Sequence, residues 1–406
     1  MTRRIAVVHG PNLNALGRRE PEIYGSTTLA ELDLLIAGWA RELGVEARTF
    51  QSNHEGALID HLHELVDVVD GVVLNPGALT HYSYALHDAV LATGLPTVEV
   101  HISNVRAREP WRRVSVVAPA CRYTVFGRGI EGYRWALRRL LHVLDAPAEV
   151  VPYGEGPDRI AELRLPDGEG PHPVVVLLHG GFWRDPWTRD TLDAAAIELT
   201  RRGWATWNLE YRRVGAGGGW PATLHDVAAG IDALAEVDAP IDTGRIVLLG
   251  HSAGGHLALW AAARRRLPVG APGAAPRVHP AGVVAVAPVA DLAQAHRSGV
   301  GGDAVEAFLR RGPEDGSDRY AVADPRRLLP LGVPMALVHG EADDVVPPEL
   351  STSFADAAER AGDAVEVVLL PDVLHMAPVE PTDPAWRPVA DAVARLTPPR
   401  RPAGSG

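Results

Sequence analysis

Ile5-Ala-Val-Val8-His9-Gly-Pro-Asn-Leu-Asn14 is an apolar run that breaks into a long polar loop, and the loop ends on Arg18-Arg-Glu-Pro-Glu-Ile-Tyr24-Gly25. The first residues read as a short buried strand, because four apolar residues stand immediately before a glycine-proline turn. Loops of this length inside a compact domain are usually functional or disordered. An arginine pair five residues before a tyrosine favours function, because a phenol has an ordinary pKa of about 10 and neighbouring guanidinium charge favours its phenolate. Tyr24 is therefore a candidate base, although the loop alone also fits a structural tyrosine beside solvated arginines.

Working outward, Thr28-Leu-Ala-Glu31 reads as a capping box opening a helix through Leu43, which Gly44 stops. Val45 to Gln51 is a second strand, and Ser52-Asn-His-Glu55 is a further capping box opening a helix to about Val69. Gly71 to Asn75 is a third strand, Tyr82 to Thr93 a helix, and Thr97 to His101 a fourth strand. Val114 to Ala118 and Tyr123 to Phe126 are short strand candidates, and Gly132 to Leu144 closes the set. Alternating strands and helices predict a doubly wound parallel α/β sheet with flanking helices.

Ligands in such sheets sit beyond the carboxyl ends of the strands. Asn12 and Asn14, Asn53, Asn75, and His101 with Ser103 all fall at strand ends, with His81, Arg108 and Arg112 on the connections behind them. Together they describe a site for a small polar anion under an Arg/Tyr lid. His61 and His63, two residues apart on a helix, do not face each other and read as surface histidines rather than metal ligands.

The composition narrows the chemistry. The 406 residues are 46% hydrophobic and 22% charged, which suits a globular chain of two or three domains. No apolar run is long enough to span a bilayer, and the first strand is too short for a signal-peptide core. The single cysteine, Cys121, fits a reducing cytoplasm. A net charge of −12 with only short arginine runs, Arg264-Arg-Arg266 and Arg400-Arg401, argues against nucleic-acid binding, and those runs read as solvated ends. All 39 basic residues are arginine, so Schiff-base, P-loop and pyridoxal-lysine chemistry is excluded.

Gly10-Pro-Asn-Leu-Asn14, Arg19-Glu-Pro-Glu-Ile-Tyr24-Gly25, Gln51-Ser-Asn-His-Glu-Gly56, Asn75-Pro-Gly-Ala78, Thr80-His81, Glu99-Val-His-Ile-Ser-Asn104 and Ala107-Arg-Glu109 together resemble type II 3-dehydroquinate dehydratase, in order, from about residue 4 to residue 142. The resemblance implies a flavodoxin-like fold and dehydration of 3-dehydroquinate to 3-dehydroshikimate without metal or cofactor. It implies that Tyr24, assisted by Arg19, removes the proton beside the ketone and that Asn12 holds a water stabilising the enolate. His101, oriented by Glu99, would protonate the departing hydroxyl. Ile102 and Ser103 would bind the substrate carboxylate, and Asn75, His81 and Arg112 its hydroxyls, with Arg108 completing the site and Asp88 reaching in from a neighbouring subunit. A homododecamer of trimers is implied as well. Val8-His9 before the Gly-Pro-Asn motif and Arg18 depart from the family pattern without touching a catalytic position.

The first domain is expected over residues 1–145, a second over 150–397, and a disordered tail over 398–406. In the second, Ile160 to Leu165, Val174 to Leu178 and Ala205 to Leu209 are strands, and a helix starts near Pro221. Ile246-Val-Leu-Leu-Gly250-His-Ser252-Ala-Gly254 is a strand running into a Gly-x-Ser-x-Gly turn and the apolar helix Leu257 to Ala263. Small residues permit the sharp turn that lifts Ser252 above the sheet at a helix start. Serine needs a base and an orienting acid. His339-Gly-Glu-Ala-Asp343 follows one strand and Leu374-His375 another, which gives the α/β-hydrolase order Ser252, Asp343, His375, with Asp344 competing for the acid role. His256 reads as packed in the core, and His179 and His339 as structural. The N–H of Ala253 with one from Gly181 or Phe182 is the natural oxyanion pair. This half resembles α/β-hydrolases of the esterase and kynurenine-formamidase-like group, with Asp291 to Leu329 inserted over the site.

The chain thus reads as a bifunctional cytoplasmic enzyme: a dehydratase joined to a serine hydrolase of an unidentified ester or amide. An ester of quinate or shikimate is a conjecture from the fusion alone. The competing reading makes one half a silent assembly or binding module; a flavin-binding module leaves the Arg/Tyr lid unexplained.

Overall fold

The structure is a computed structural model that describes residues 2–313 and 318–397, and the expected tail from Pro398 lies outside the described residues. The chain divides between Pro147 and Ala148 into two compact units.

The first unit is built from β1 (Arg4–His9), α1 (Pro21–Tyr24), α2 (Leu29–Glu42), β2 (Glu46–Gln51), α3 (Glu55–Glu64), β3 (Gly71–Asn75), α4 (Tyr84–Thr93), β4 (Thr97–His101), β5 (Tyr123–Phe126) and α5 (Gly132–Asp145). Its five strands are parallel in the order β2-β1-β3-β4-β5, which is flavodoxin-like. Side chains alternate along each strand, so one sheet face buries Ile5, Val7, Val73, Val98 and Val100 against α2 and α5. The other buries Ala6, Val8, Val72 and Leu74 against α3 and α4. The chain leaves β1 for β2 on one side and returns as β3 on the other, so the loops after β1 and β3 diverge and open a crevice. The Thr28 capping box on α2 is complete, with side chain and backbone bonded reciprocally to Glu31.

Several expectations are corrected here. Ser52 does not cap α3: its hydroxyl accepts the His54 N–H at 3.0 Å, which makes a turn before the helix, and α3 stops at Glu64 rather than near Val69. Val114 to Ala118 is not a strand, because its carbonyls serve elsewhere. Val114 O bonds His81 Nδ1, Val116 O bonds His87 Nδ1, and Val116 N–H bonds Thr80 O, which ties the segment to the α4 region. His61 is not a free surface histidine, since its ring stacks on Phe50 at 3.9 Å. Arg264 is buried rather than solvated, and it pairs with Asp232 at 2.5 Å.

The second unit contains β6 (Glu149–Pro152), β7 (Ile160–Arg164), β8 (His172–Leu178), α6 (Asp193–Arg201), β9 (Ala205–Leu209), α7 (Ala222–Asp232), β10 (Ile241–His251), α8 (Ala253–Ala262), β11 (Gly282–Val286), α9 (Leu292–Arg297), α10 (Ala304–Leu309), α11 (Arg319–Ala323), β12 (Met335–Gly340), α12 (Glu349–Arg360), β13 (Val365–Leu370) and α13 (Trp386–Leu396). The eight-stranded sheet runs β13-β12-β11-β10-β8-β9-β7-β6 and is parallel except where β7 meets β9 and β6. One face packs on α7 and α8, the other on α6 and α13. The apolar helix begins at Ala253, directly after Ser252, rather than at Leu257. The segment expected as an insertion, Asp291 to Leu329, carries α9, α10 and α11. No helix among the described residues is long and apolar enough to cross a membrane.

Candidate functional sites

In the first unit, the crevice at the strand ends forms an open cleft. Arg19, Tyr24, Asn75, His81, His101, Ile102, Ser103 and Arg112 line it. Tyr24 ends the single turn α1, which starts after Glu20 at φ 40° and is closed by Gly25 at φ 79°. The loop therefore turns the phenol back over the cleft.

Arg108, 84 residues downstream, donates from Nη1 to the Tyr24 oxygen at 2.6 Å. Arg19 is the residue expected to assist Tyr24. Its guanidinium instead lies 5.3 Å from the centre of the Tyr24 ring, with Nε turned to Glu20 at 3.1 Å. Tyr24 therefore sits between two arginines, and the distant one holds its oxygen.

His101 approaches from β4, with Nε2 2.7 Å from Glu99 Oε1. Residues 99 and 101 point to the same side of a strand, so the pair follows from the pleat. Glu99 is fully buried and also accepts from Thr80 Oγ1 and from Ser115 Oγ at 3.1–3.2 Å. Burial alone would raise its pKa, but the His101 charge and the His101, Thr80 and Ser115 hydrogen bonds outweigh it and hold the carboxyl below its ordinary range. Among the described residues, the backbone N–H groups of Ile102 and Ser103 have no acceptor, which leaves two donors for an anion.

His81 bonds the Val114 carbonyl at 2.8 Å, so its other nitrogen is left for a ligand, and burial pushes its pKa down. Arg112 Nε bonds Glu109 at 2.9 Å. Asn75 donates to the Tyr133 hydroxyl at 2.9 Å and accepts from Gly77 N–H at 3.2 Å. Behind it, Tyr133 meets His9 Nδ1 at 3.0 Å. Burial pushes the Tyr133 phenol far up, so it stays a neutral donor. The two hydroxyls on Glu99 and the Tyr133–His9 pair had no recognised role in the sequence.

Asn12 and Asp88 do not line the cleft among the described residues. Asn12 takes φ 68° and its N–H bonds the Asn53 side chain at 2.8 Å, while Asp88 is exposed on α4.

In the second unit, Ser252 stands between β10 and α8 at φ 58°, ψ −120°. Two glycines make that turn possible. A Cβ on Gly250 would lie 2.1 Å from Gly254 O, and one on Gly254 would lie 1.9 Å from Leu178 O. His375 Nδ1 meets Asp343 Oδ2 at 2.7 Å, and Asp343 Oδ1 accepts the N–H groups of Val345 at 2.9 Å and Val346 at 2.8 Å. Asp344 is exposed, so the geometry separates the two candidates. Burial alone would raise the Asp343 pKa, but hydrogen bonds from His339 and His375 hold it well below the usual carboxylate range. Ser252 Oγ makes no hydrogen bond to His375 among the described residues; such contacts are often long before substrate binds.

The loop after β8 carries Gly181, Phe182 and Trp183, all at positive φ. It is pinned from beneath. His179 bonds Glu210 at 3.0 Å and stacks on Tyr211, while Trp183 donates to His256 at 3.2 Å and stacks on Phe308 of α10. His256 is core-packed, its pKa lowered to about 4 by burial. His339, which reads as structural, bonds the Ser351 hydroxyl at 2.7 Å and the Val346 carbonyl at 2.9 Å, and it also lies 3.2 Å from Asp343. His251 was not singled out in the sequence, yet its Nε2 lies 3.0 Å from the His375 carbonyl oxygen.

These two units define a flavodoxin-like domain with a tyrosine/histidine cleft and an α/β-hydrolase domain with a serine elbow. The profile of the Dehydroquinase class II family matches residues 3–141, and that named BD-FAE matches residues 162–357. The chain belongs to the class II dehydroquinase family through its first unit. A 3-dehydroquinate dehydratase of Anoxybacillus flavithermus is 51% identical over 142 residues, which are 35% of this chain and 96% of that protein. One from Pelotomaculum thermopropionicum is 56% identical over 33% of this chain and 94% of that protein. The second unit shares its fold with a truncated carbohydrate esterase from gut microbiota (TM-score 0.54, 19% identity, covering 61% of this chain and 94% of that one). A butyrate-bound esterase of Thermogutta terrifontis is similar too (TM-score 0.51, 20% identity, covering 61% of this chain and 92% of that one).

Proposed function

We propose that this chain is a 3-dehydroquinate dehydratase fused to a serine esterase or amidase. The dehydratase reading rests on family membership across nearly the whole length of relatives bearing that name. The cleft supports it by facing a base and an acid towards the same space.

The Tyr24 phenolate, held by Arg108 and flanked by Arg19, takes the proton from the carbon beside the ketone. The enolate oxygen is stabilised by a water on Asn12, and fixed donors suit that task. His101 gives its proton to the departing hydroxyl, which leaves as water, while buried Glu99 stabilises the imidazolium that supplies it. The substrate carboxylate binds the free N–H groups of Ile102 and Ser103 and the Ser103 hydroxyl, and Asn75, His81 and Arg112 bind the ring hydroxyls.

In the second unit, Ser252 attacks the acyl carbon, His375 takes its proton and returns it to the leaving group, and Asp343 fixes the imidazole. The N–H of Ala253 with one from Gly181 or Phe182 receives the oxyanion. Cytoplasmic residence agrees with the single cysteine. Assembly of trimers into a dodecamer, with Asp88 serving a neighbouring subunit, agrees with the exposure of Tyr82, Tyr84 and Leu91 around it.

The test is reciprocal. Tyr24→Phe should abolish enone formation from 3-dehydroquinate and leave acyl-ester hydrolysis intact, and Ser252→Ala should do the reverse. A wild-type chain that forms no conjugated enone refutes the dehydratase half.

A further inference from the structure

His251 is the last residue of β10, and the chain passes from it directly into Ser252. Its ring is buried, and its centre lies 4.5 Å from that of the His375 ring. We propose that His251 is a positioning residue of the hydrolase: it donates from Nε2 to the carbonyl oxygen of His375 and holds the base-bearing loop against the nucleophile elbow. This rests on reading Ser252, Asp343 and His375 as the triad.

The loop needs such a hold. Between the end of β13 and His375 the chain is largely exposed, with Leu374 at 55% and Asp372 at φ 59°. Asp343 fixes the imidazole through Nδ1, but that contact constrains the ring and not the backbone beneath it. Among the described residues, the His375 carbonyl accepts from His251 alone. The carbonyl can only accept, so the His251 proton is on Nε2 and Nδ1 is left as an acceptor. A Cβ built on Gly180 would lie 3.3 Å from that Nδ1, which places the ring against the oxyanion loop too. One residue therefore holds the base loop and lies beside the oxyanion loop, while its backbone runs directly into the nucleophile.

Its charge state suits the position. Burial first, and then the neighbouring His375, lower the His251 pKa to about 3. The ring stays neutral while His375 gains a proton from Ser252. A second positive imidazole at this distance would oppose that transfer.

The experiment measures hydrolysis of p-nitrophenyl acetate by the full chain, with Ser252→Ala as the control. His251→Phe keeps a ring and removes the donor, whereas His251→Gln places an N–H at nearly the position of Nε2. Losing one neutral hydrogen bond that orients the base should lower kcat about tenfold in the Phe variant, with KM within about twofold. The Gln variant should return kcat to within about threefold of the parent. Equal rates for Gln and Phe, or a Phe variant as fast as the parent, overturn the proposal. If His251→Phe does not fold, His251→Met replaces it, and equality of Met and Gln overturns the proposal in the same way. Full hydrolysis by Ser252→Ala would instead refute the triad and His251's role with it. An inactive Ser252→Ala beside an unimpaired His251→Phe refutes His251 alone.

Discussion

Replacing Glu99 by Gln isolates what a buried charge does for His101, the proposed acid of the dehydratase. The amide occupies the same space, but the anion facing His101 Nε2 at 2.7 Å is lost. Hydrogen bonds to charged groups contribute about 1.5–3 kcal/mol, roughly twice a neutral one. The amide still accepts a neutral hydrogen bond, so about half of that range is lost, which converts to a fall in kcat of about 3- to 12-fold at a factor of ten per 1.4 kcal/mol. Glu99 does not itself line the cleft, so KM should move by less than about threefold. The assay follows enone absorbance under saturating 3-dehydroquinate across pH. A kcat within about 1.5-fold of the parent would refute the reasoning, because it would show that the carboxylate charge does not support His101. The sign of the stability effect is also set. The folded-state pKa of Glu99 is depressed, so its contribution is present above the unfolded carboxyl value of about 4.3 and is lost as pH falls through the lower folded value. The parent should therefore lose thermal stability more steeply than Glu99→Gln as pH drops below about 4.3.

Two further outcomes follow from the hydrolase geometry. Asp343→Asn should reduce ester hydrolysis by about 10³–10⁴-fold, as losing the orienting acid does in serine hydrolases generally, while Asp344→Asn should stay within about twofold; assays of both variants on one acyl ester check this. Gly254→Ala should yield an unstable or insoluble chain, measured by soluble yield and melting temperature, because its Cβ would lie 1.9 Å from Leu178 O with only backbone to give way.

Much of both sites was legible because catalytic side chains cluster at strand ends and glycine turns. Asn75 and His101 terminate apolar runs, and the Gly250-His-Ser252-Ala-Gly254 turn announces itself by the small residues its close approach requires. What stayed hidden depends on contacts between distant segments. Nothing near Tyr24 signals that Arg108 holds its oxygen. Ser115 falls in a segment whose Val-Ser-Val-Val alternation imitates a strand until His81 and His87 claim its carbonyls. His251 carries no sequence signal for a related reason. Its partner is a backbone oxygen 124 residues away, and no side-chain pattern encodes a carbonyl. β11 passed unplaced because five uniformly buried apolar or glycine residues carry no period by which to tell a strand from a helix segment.

The backbone at Ser252, φ 58° and ψ −120°, is a conformation in which glycine is comfortable and every other residue is strained by about 1–3 kcal/mol. Ser252→Ala and Ser252→Gly both delete the nucleophile, but only glycine releases that strain. After the extra 0.5–1 kcal/mol of unfolded-chain freedom that glycine adds, the glycine variant should be up to about 2.5 kcal/mol more stable than the alanine one, a difference of a few degrees in Tm. Selection on thermostability alone would push this position towards an inert residue. The proposed nucleophile therefore stands at a backbone position where folding by itself favours a residue with no side chain.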